Sequence, residues 1–163
     1  MATDLTVEQS FPSSPADVYA LLLDIDVLAR CVVAVGGDGA TVVTHDGDEN
    51  GVTITTSTPV DPSTLPAALR PMIGSNAKGT KSEKWARHGD GYTAEFSISV
   101  PGAPATVTAQ AQLGSHSAGS QLTIKGSVEV KVPVLGPKIE RLLVDQISAR
   151  LAAEYQYLCG QLS

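Results

Sequence analysis

Three stretches in the second half of the chain alternate strictly between apolar and polar positions. Tyr92, Ala94, Phe96, Ile98 and Val100 stand opposite Thr93, Glu95, Ser97 and Ser99. After the turn Pro101-Gly102-Ala103-Pro104, Ala105, Val107, Ala109, Ala111 and Leu113 alternate with Thr106, Thr108, Gln110 and Gln112. After a loop over 114–120, Leu122, Ile124, Gly126, Val128, Val130 and Val132 form a third apolar face. Successive side chains of a strand point to opposite sides, so a period of two marks antiparallel strands wet on one face and dry on the other. Within residues 131–147, KVPVLGPKIERLLVDQI, that period stops. Apolar residues then recur every three or four positions, which predicts a helix from near Pro137 to about Leu158, with the proline in its first turn.

The first half reads with the same rules. Residues 5–11 predict a strand. Ser14-Pro15-Ala16-Asp17 predicts a helix start, with Ser14 as cap, Pro15 in the first position and Asp17 completing a capping-box-like pattern. Asp24-Ile25-Asp26 breaks that helix, and a second short one runs to about Val33 before the turn at Gly36-Gly37-Asp38-Gly39. Residues 40–45 and 52–58 predict strands around a DGDENG hairpin loop. In 62–74, Leu65, Leu69 and Ile73 sit four apart, which suggests a short amphipathic helix bent or ended by Pro71. Residues 78–88 predict a polar strand that carries the lone tryptophan, Trp85.

The order is therefore strand, two short helices, about six more strands with one small insertion, and a long final helix. The dry face of the sheet needs a cover, and only the last helix, roughly six turns long, has the length. This predicts an α+β fold: a curved antiparallel sheet of six to seven strands wrapped on a long C-terminal helix. With no internal repeat or linker, residues 1–163 are expected to form one domain.

Composition narrows the function. The formal net charge of −6 disfavours nucleic acid as the main partner, since phosphate binding needs a basic face. No apolar run approaches a membrane span, so no membrane insertion is expected. The start MATDLTVEQS lacks the basic and apolar regions of a signal peptide, so a cytoplasmic location is the default. Cys31 and Cys159 fit no metal or redox spacing and are expected to be free thiols. The outward strand positions are mostly Thr, Ser and Gln, which favours a monomer.

Three stretches carry a resemblance. FPSSPADVYALLLD at 11–24, PGAP at 101–104 and VEVKVPVLGPKIERLLVDQI at 128–147 resemble an actinobacterial domain-of-unknown-function family. It lies within the START and birch-pollen-allergen-like (SRPBCC, polyketide cyclase-like) superfamily of helix-grip folds. The resemblance covers essentially the whole chain. It implies a cavity between sheet and last helix that takes a lipid, sterol, polyketide or hormone. Some superfamily members are cyclases, aromatases or hydrolases, but no universal catalytic motif accompanies the fold.

Several motifs fail on inspection. Residues 46–51 match the first half of a calcium loop, but the position needing a bidentate carboxylate is Ser57. The GSNAKGTK stretch at 74–81 has Thr before Lys and precedes a strand, the reverse of a phosphate loop. His45, His88 and His116 lack partners at a metal spacing, so no metal and no cofactor are expected.

The chemistry that survives is a set of polar residues among apolar ones. On the last helix, Leu143, Ile147, Arg150, Glu154 and Leu158 share a face, with Gln146 and Tyr157 flanking. Lys138, Arg141, Asp145, Ser148, Ala152 and Gln156 fall on the opposite, solvated face. Arg150 and Glu154 interrupt the apolar stripe one turn apart. They must be satisfied by each other, by a ligand, or by a structural partner such as Asp24, Asp26 or the sheet rim; the structural role is the favoured one. Lys81, Glu83, Trp85 and Arg87 share one side of their strand, and the outward orientation is favoured because charges are seldom buried unpaired. Small residues on the dry face (Ala94, Ala105, Ala109, Ala111 and Gly126) either leave room under the helix or let helix and sheet pack closely, and the segment with Leu65, Leu69 and Ile73 is either a lid over that space or a cover for a sheet edge. The ligand-binding set expected from this reading is Trp85, Phe96, Ile98, Ala109, Ile124, Leu143, Ile147, Arg150 and Glu154. Two alternatives remain beside a binding protein for a hydrophobic small molecule. One is a cyclase- or aromatase-type enzyme using Glu83, Glu154 or Tyr157 as acid or base. The other is a non-catalytic interaction scaffold, which an exposed apolar patch would support.

Overall fold

The structure is a computed structural model that describes residues 2–162. Seven antiparallel strands form one curved sheet: β1 (Ala2–Phe11), β2 (Thr41–Asp48), β3 (Gly51–Pro59), β4 (Lys78–His88), β5 (Gly91–Ser99), β6 (Ala105–His116) and β7 (Gly119–Val130). Their spatial order is β1-β7-β6-β5-β4-β3-β2. Strands β2 to β7 follow one another as a meander, and β1 joins the far edge beside β7. The two helices α1 (Pro15–Leu22) and α2 (Ile25–Gly36) carry the chain from one edge of the sheet to the other. Helix α3 (Gly136–Cys159) lies across the dry face and packs mainly on β1, β7 and α2. This is the helix-grip fold that the alternation and the final helix predict. Among the described residues, no helix is long and apolar enough to cross a membrane.

Local chemistry sets the helix ends. The Ser14 hydroxyl accepts from the Asp17 amide at 3.2 Å, and Pro15 opens α1. Asp24 caps α2 by accepting from the amides of Asp26 and Val27 at 3.0 and 3.2 Å. Tyr19 of α1 stacks on Tyr92 of β5 with ring centroids 4.1 Å apart and donates its hydroxyl to the Asp48 carbonyl at 2.7 Å. The expected DGDENG loop is shorter than its sequence suggests. Strand pairing runs to Asp48 and Gly51, leaving Glu49-Asn50 as the turn, and the Asp48 carboxylate accepts from the Asn50 amide at 2.8 Å.

The 62–74 segment forms no α-helix. It contains two single 3-10 turns, Pro62–Thr64 and Arg70–Met72. Pro62, Pro66 and Pro71 lack amide donors and bias their preceding residues away from helical dihedrals, so an α-helix cannot propagate. Leu69 and Ile73 are nevertheless buried, and Leu65 half-buried, so the apolar spacing still marks what points inward.

Strand β4 corrects the favoured orientation. Lys81, Glu83 and Trp85 face the interior, while Arg87 at the strand's end is exposed. On α3, Lys138, Arg141, Asp145 and Gln156 are solvated as expected, but Ser148 and Ala152 are half-buried. Ala152 packs against the main core, because α3 is flanked by α2 as well as by the sheet.

The core is divided. A main cluster gathers Tyr19 and Leu22 of α1, Trp85, Phe96 and Ile124 of the sheet, and Leu151, Tyr155 and Leu158 of α3. A smaller cluster (Leu69, Ile73, Val107, Val128, Val130 and Ile139) lies under the 62–74 segment at the other end of the sheet. Of the two outcomes open to the small residues Ala94, Ala109, Ala111 and Gly126, room for a ligand or close packing, the structure takes close packing. The three alanines are buried in the main cluster, and a Cβ on Gly126 would stand 2.1 Å from the Thr108 carbonyl oxygen.

Candidate functional site

Between the two clusters lies an open cavity of about 600 Å³, bounded by the 59–73 segment, β3–β6 and α3. Leu65, Leu69, Ile98, Val107, Leu143 and Ile147 contribute its apolar wall. Arg150, Glu154, Lys81 and Thr58 close one end with polar groups. Of the residues expected to bind ligand, the structure brings Ile98, Leu143, Ile147, Arg150 and Glu154 together around this space. Trp85, Phe96, Ala109 and Ile124 lie outside its wall, buried in the main core. They share the dry face of the sheet with the cavity residues, but α1 and the C-terminal half of α3 fill the space above them. Ala105 is the one member of the small-residue set that lines the cavity.

The polar end is a closed ion cluster that joins sheet to helix. Lys81 Nζ binds Glu154 Oε2 and lies 3.3 Å from Glu83 Oε2. Arg150 Nε donates to Glu154 Oε1 at 3.3 Å, and its Nη2 donates to the Thr58 hydroxyl at 2.7 Å. Behind Lys81, Glu83 Oε1 accepts from the Trp85 indole at 3.1 Å and from the Tyr155 hydroxyl at 3.2 Å. The Arg150–Glu154 pair thus reaches β3 and β4, not Asp24 or Asp26. The cluster holds two cations and two anions and balances itself. Trp85 also meets Phe96 edge-on, with centroids 5.9 Å apart, which backs the cluster with rigid apolar surface.

These contacts fix protonation. Burial alone would lower the Lys81 pKa, but Glu154 and then Glu83 more than offset it, so the ammonium titrates above its ordinary range. Burial, reinforced by Glu83 and Glu154, pushes the Tyr155 hydroxyl well above the usual tyrosine value. Burial, then the nearby Glu154 charge, raises the Cys31 thiol to about 12. At neutral pH, Lys81 is a cation, Tyr155 a neutral donor and Cys31 an inert thiol whose Sγ donates to the Glu154 carbonyl at 3.7 Å. Each carboxylate oxygen of Glu83 and Glu154 is already engaged. Tyr157 is half-buried against the main core and does not line the cavity.

Two anchoring contacts had no signal in the local pattern. Arg70 Nε donates to the carbonyls of Pro62 and Leu65 at 3.1 and 3.2 Å, tying the 62–74 segment to itself. Gln146 of α3 donates to the Thr64 carbonyl at 2.6 Å, tying the segment to the helix. A third feature, Glu140 of α3, is buried away from the cavity. It accepts from the Val130 amide and the Thr3 hydroxyl, both at 2.9 Å, and clips the start of α3 to β7 and β1. Among the described residues, no group of three or more His, Cys, Asp or Glu is placed to hold a metal ion, and Cys31 and Cys159 are free.

A family model described as "Protein of unknown function (DUF2505)" matches residues 6–160. The chain is a member of the DUF2505 family. Relatives of this DUF2505 chain include the uncharacterized protein Rv0481c of Mycobacterium tuberculosis, 26% identical over 136 residues, which are 82% of this chain and 74% of that protein. The uncharacterized protein Mb0491c of Mycobacterium bovis matches to the same extent. Solved structures share the fold at lower identity. TTHA0849 from Thermus thermophilus superposes with a TM-score of 0.61 at 13% identity, covering 97% of this chain and 95% of its own. Ms6760 from Mycobacterium smegmatis gives 0.59 at 14%, covering 98% and 90%. Ara h 8.0201 gives 0.54 at 14%, covering 98% and 99%. This chain therefore shares the fold of these three proteins.

Proposed function

We propose that this DUF2505 chain binds a hydrophobic small molecule, lipid- or polyketide-like, in the cavity between sheet and α3. The observation that carries the reading is the cavity itself: about 600 Å³ of mostly apolar space ending in a fixed polar corner. Ligand sites of small molecules fall at about 300–1,000 Å³ and combine apolar walls with a few placed polar groups. The ligand's apolar body lies against Ile98, Leu143 and Ile147, under the 59–73 lid. Its polar end faces Arg150, whose side chain keeps 34% exposure while its neighbours are closed off. The expected single START-like domain, monomeric state and cytoplasmic location belong to the same proposal. The enzyme alternative finds less support, because Glu83 and Glu154, the carboxylates it would use, are held by cations and hydrogen bonds.

Native mass spectrometry of the protein mixed with a lipid extract tests the reading. A stoichiometric adduct that survives desolvation is expected, with a released molecule of amphipathic composition. An unliganded mass across a range of lipid and polyketide extracts would sink it.

A further inference from the structure

The connection from β7 to α3 breaks two rules at once. Leu135 N donates to the Pro133 carbonyl at 2.7 Å, and Val134 between them has φ 68°. This is a γ-turn of the rare, strained hand, centred on a β-branched residue that the left-handed region strongly disfavours. Val134 is also 95% exposed, so no packing holds it there. Glycine would relieve the backbone, and a polar residue would suit the solvent. An unrelieved strain that presents an apolar tip points to a use outside the folded chain.

The tip is not alone. Leu135 and Leu142 are also exposed and lie seven residues apart, on one face of α3 and its cap. Exposed Met72 belongs to the same end of the molecule. A Cβ on Gly102 would meet the Met72 carbonyl, and the Lys131 amide donates to Pro104 in the same turn at 2.8 Å. Around this apolar ground stand the exposed cations Lys131, Lys138 and Arg141. They are three of the chain's 11 basic residues, in a chain of net charge −6. The one acid among residues 131–142, Glu140, is buried and bonded.

We propose that residues 131–142, with Met72 beside them, dock on the surface of an anionic lipid bilayer. Apolar tips ringed by cations suit the headgroup boundary, and the acidic remainder of the chain is repelled, which fixes the orientation. A second copy of the chain fits poorly, because a two-fold contact would set the same cations against each other. Docking brings Ile73 of the lid and Leu143 of α3, both cavity-lining, toward the lipid. Only the purpose of docking rests on the proposed ligand binding. The contact itself does not.

Flotation with phosphatidylcholine vesicles, with and without phosphatidylglycerol, tests the proposal on the full chain. The expected result is co-flotation with the anionic vesicles only, weakening as salt is added. Each cation near such a surface is worth about fivefold in partitioning, so Lys138→Glu, which reverses a charge, should weaken binding by about 25-fold. Val134→Gly should weaken it about tenfold while its melting temperature stays equal or rises, which separates lost docking from lost folding. Ile147→Trp, which fills the cavity, should float like the wild type, so failure of the ligand reading stays distinct from failure of docking. Equal partitioning to both vesicle types, or unchanged binding in Val134→Gly and Lys138→Glu, would overturn the proposal. So would a concentration-dependent dimer in sedimentation that Val134→Gly dissociates, since it would assign the patch to a second copy.

Discussion

Replacing Lys81 by methionine keeps the length and apolar stem of the side chain and removes only its charge. The charge is the keystone of the cluster: Nζ binds Glu154 and stands 3.3 Å from Glu83, with 12% of the side chain exposed. Without it, two buried carboxylates face each other with only Arg150, Trp85 and Tyr155 as partners. Breaking a buried pair by deleting one member costs about 3–5 kcal/mol, because the remaining charge is left uncompensated. At roughly 2–4 °C per kcal/mol for a chain of this size, the melting temperature should fall by on the order of 10 °C. The loss should also depend on pH, with a definite sign. In the wild type, the folded-state pKa of Lys81 lies above its ordinary 10.5, so its contribution is complete at neutral pH and fades only as pH rises past that value. Lys81→Met lacks this contribution at every pH, so its deficit against the wild type should be full at neutral pH and should narrow as pH rises past 10.5, where the wild type gives up the Lys81 charge. Urea unfolding across that range measures the deficit. Adding Glu154→Gln should recover part of it. A deficit below about 1 kcal/mol at neutral pH, or one that does not narrow above 10.5, would refute the assignment of Lys81 as keystone.

Glu140 should dominate part of the acid limb of stability. The Val130 amide, and then the Thr3 hydroxyl, hold its pKa below the ordinary 4.5, so its contribution is present above that value and is lost as pH falls toward the lowered one. Glu140→Gln should flatten that part of the stability–pH profile measured by denaturant titration. Cys31, with its thiol raised to about 12 and buried, should resist a thiol-modifying disulfide reagent at neutral pH in the folded protein, while half-buried Cys159 reacts. Equal reaction of both thiols before unfolding would contradict this. Arg70→Ala should free the carbonyls of Pro62 and Leu65, and hydrogen exchange across 62–73 should accelerate about tenfold while the sheet stays protected.

The sheet and the last helix were legible because their patterns are local. Tyr92–Val100 alternates on its own evidence, and the interruption at Pro133–Gly136 marks where the period changes. Arg150 and Glu154 were legible as an anomaly, since two charges in an apolar stripe require partners. Their partners were not legible: Lys81 lies 73 residues from Glu154, and only tertiary pairing brings the two together. The single strand-period signal that pointed inward was Trp85, which shares a face with Glu83 and Lys81. Weighing a buried tryptophan against two buried charges fails when the charges neutralise each other. The lid was misread as an α-helix because apolar spacing survives in 3-10 turns, whereas the three prolines govern the backbone. Trp85, Phe96, Ala109 and Ile124 were placed beside the ligand because they face the dry side. Which part of a dry face is filled and which stays open depends on where α1 docks, and no residue in those strands encodes that.

The central claim is that the space under the 59–73 lid takes an apolar molecule. Titration of a fluorescent long-chain fatty-acid analogue into the wild type and into Ile147→Trp tests it most directly. Ile147 lines the cavity, and an indole there takes up space along its apolar wall. The expected result is saturable one-to-one binding by the wild type and at least tenfold weaker binding by the variant, with circular dichroism showing it folded. Equal binding by both, or none by either, would contradict the claim.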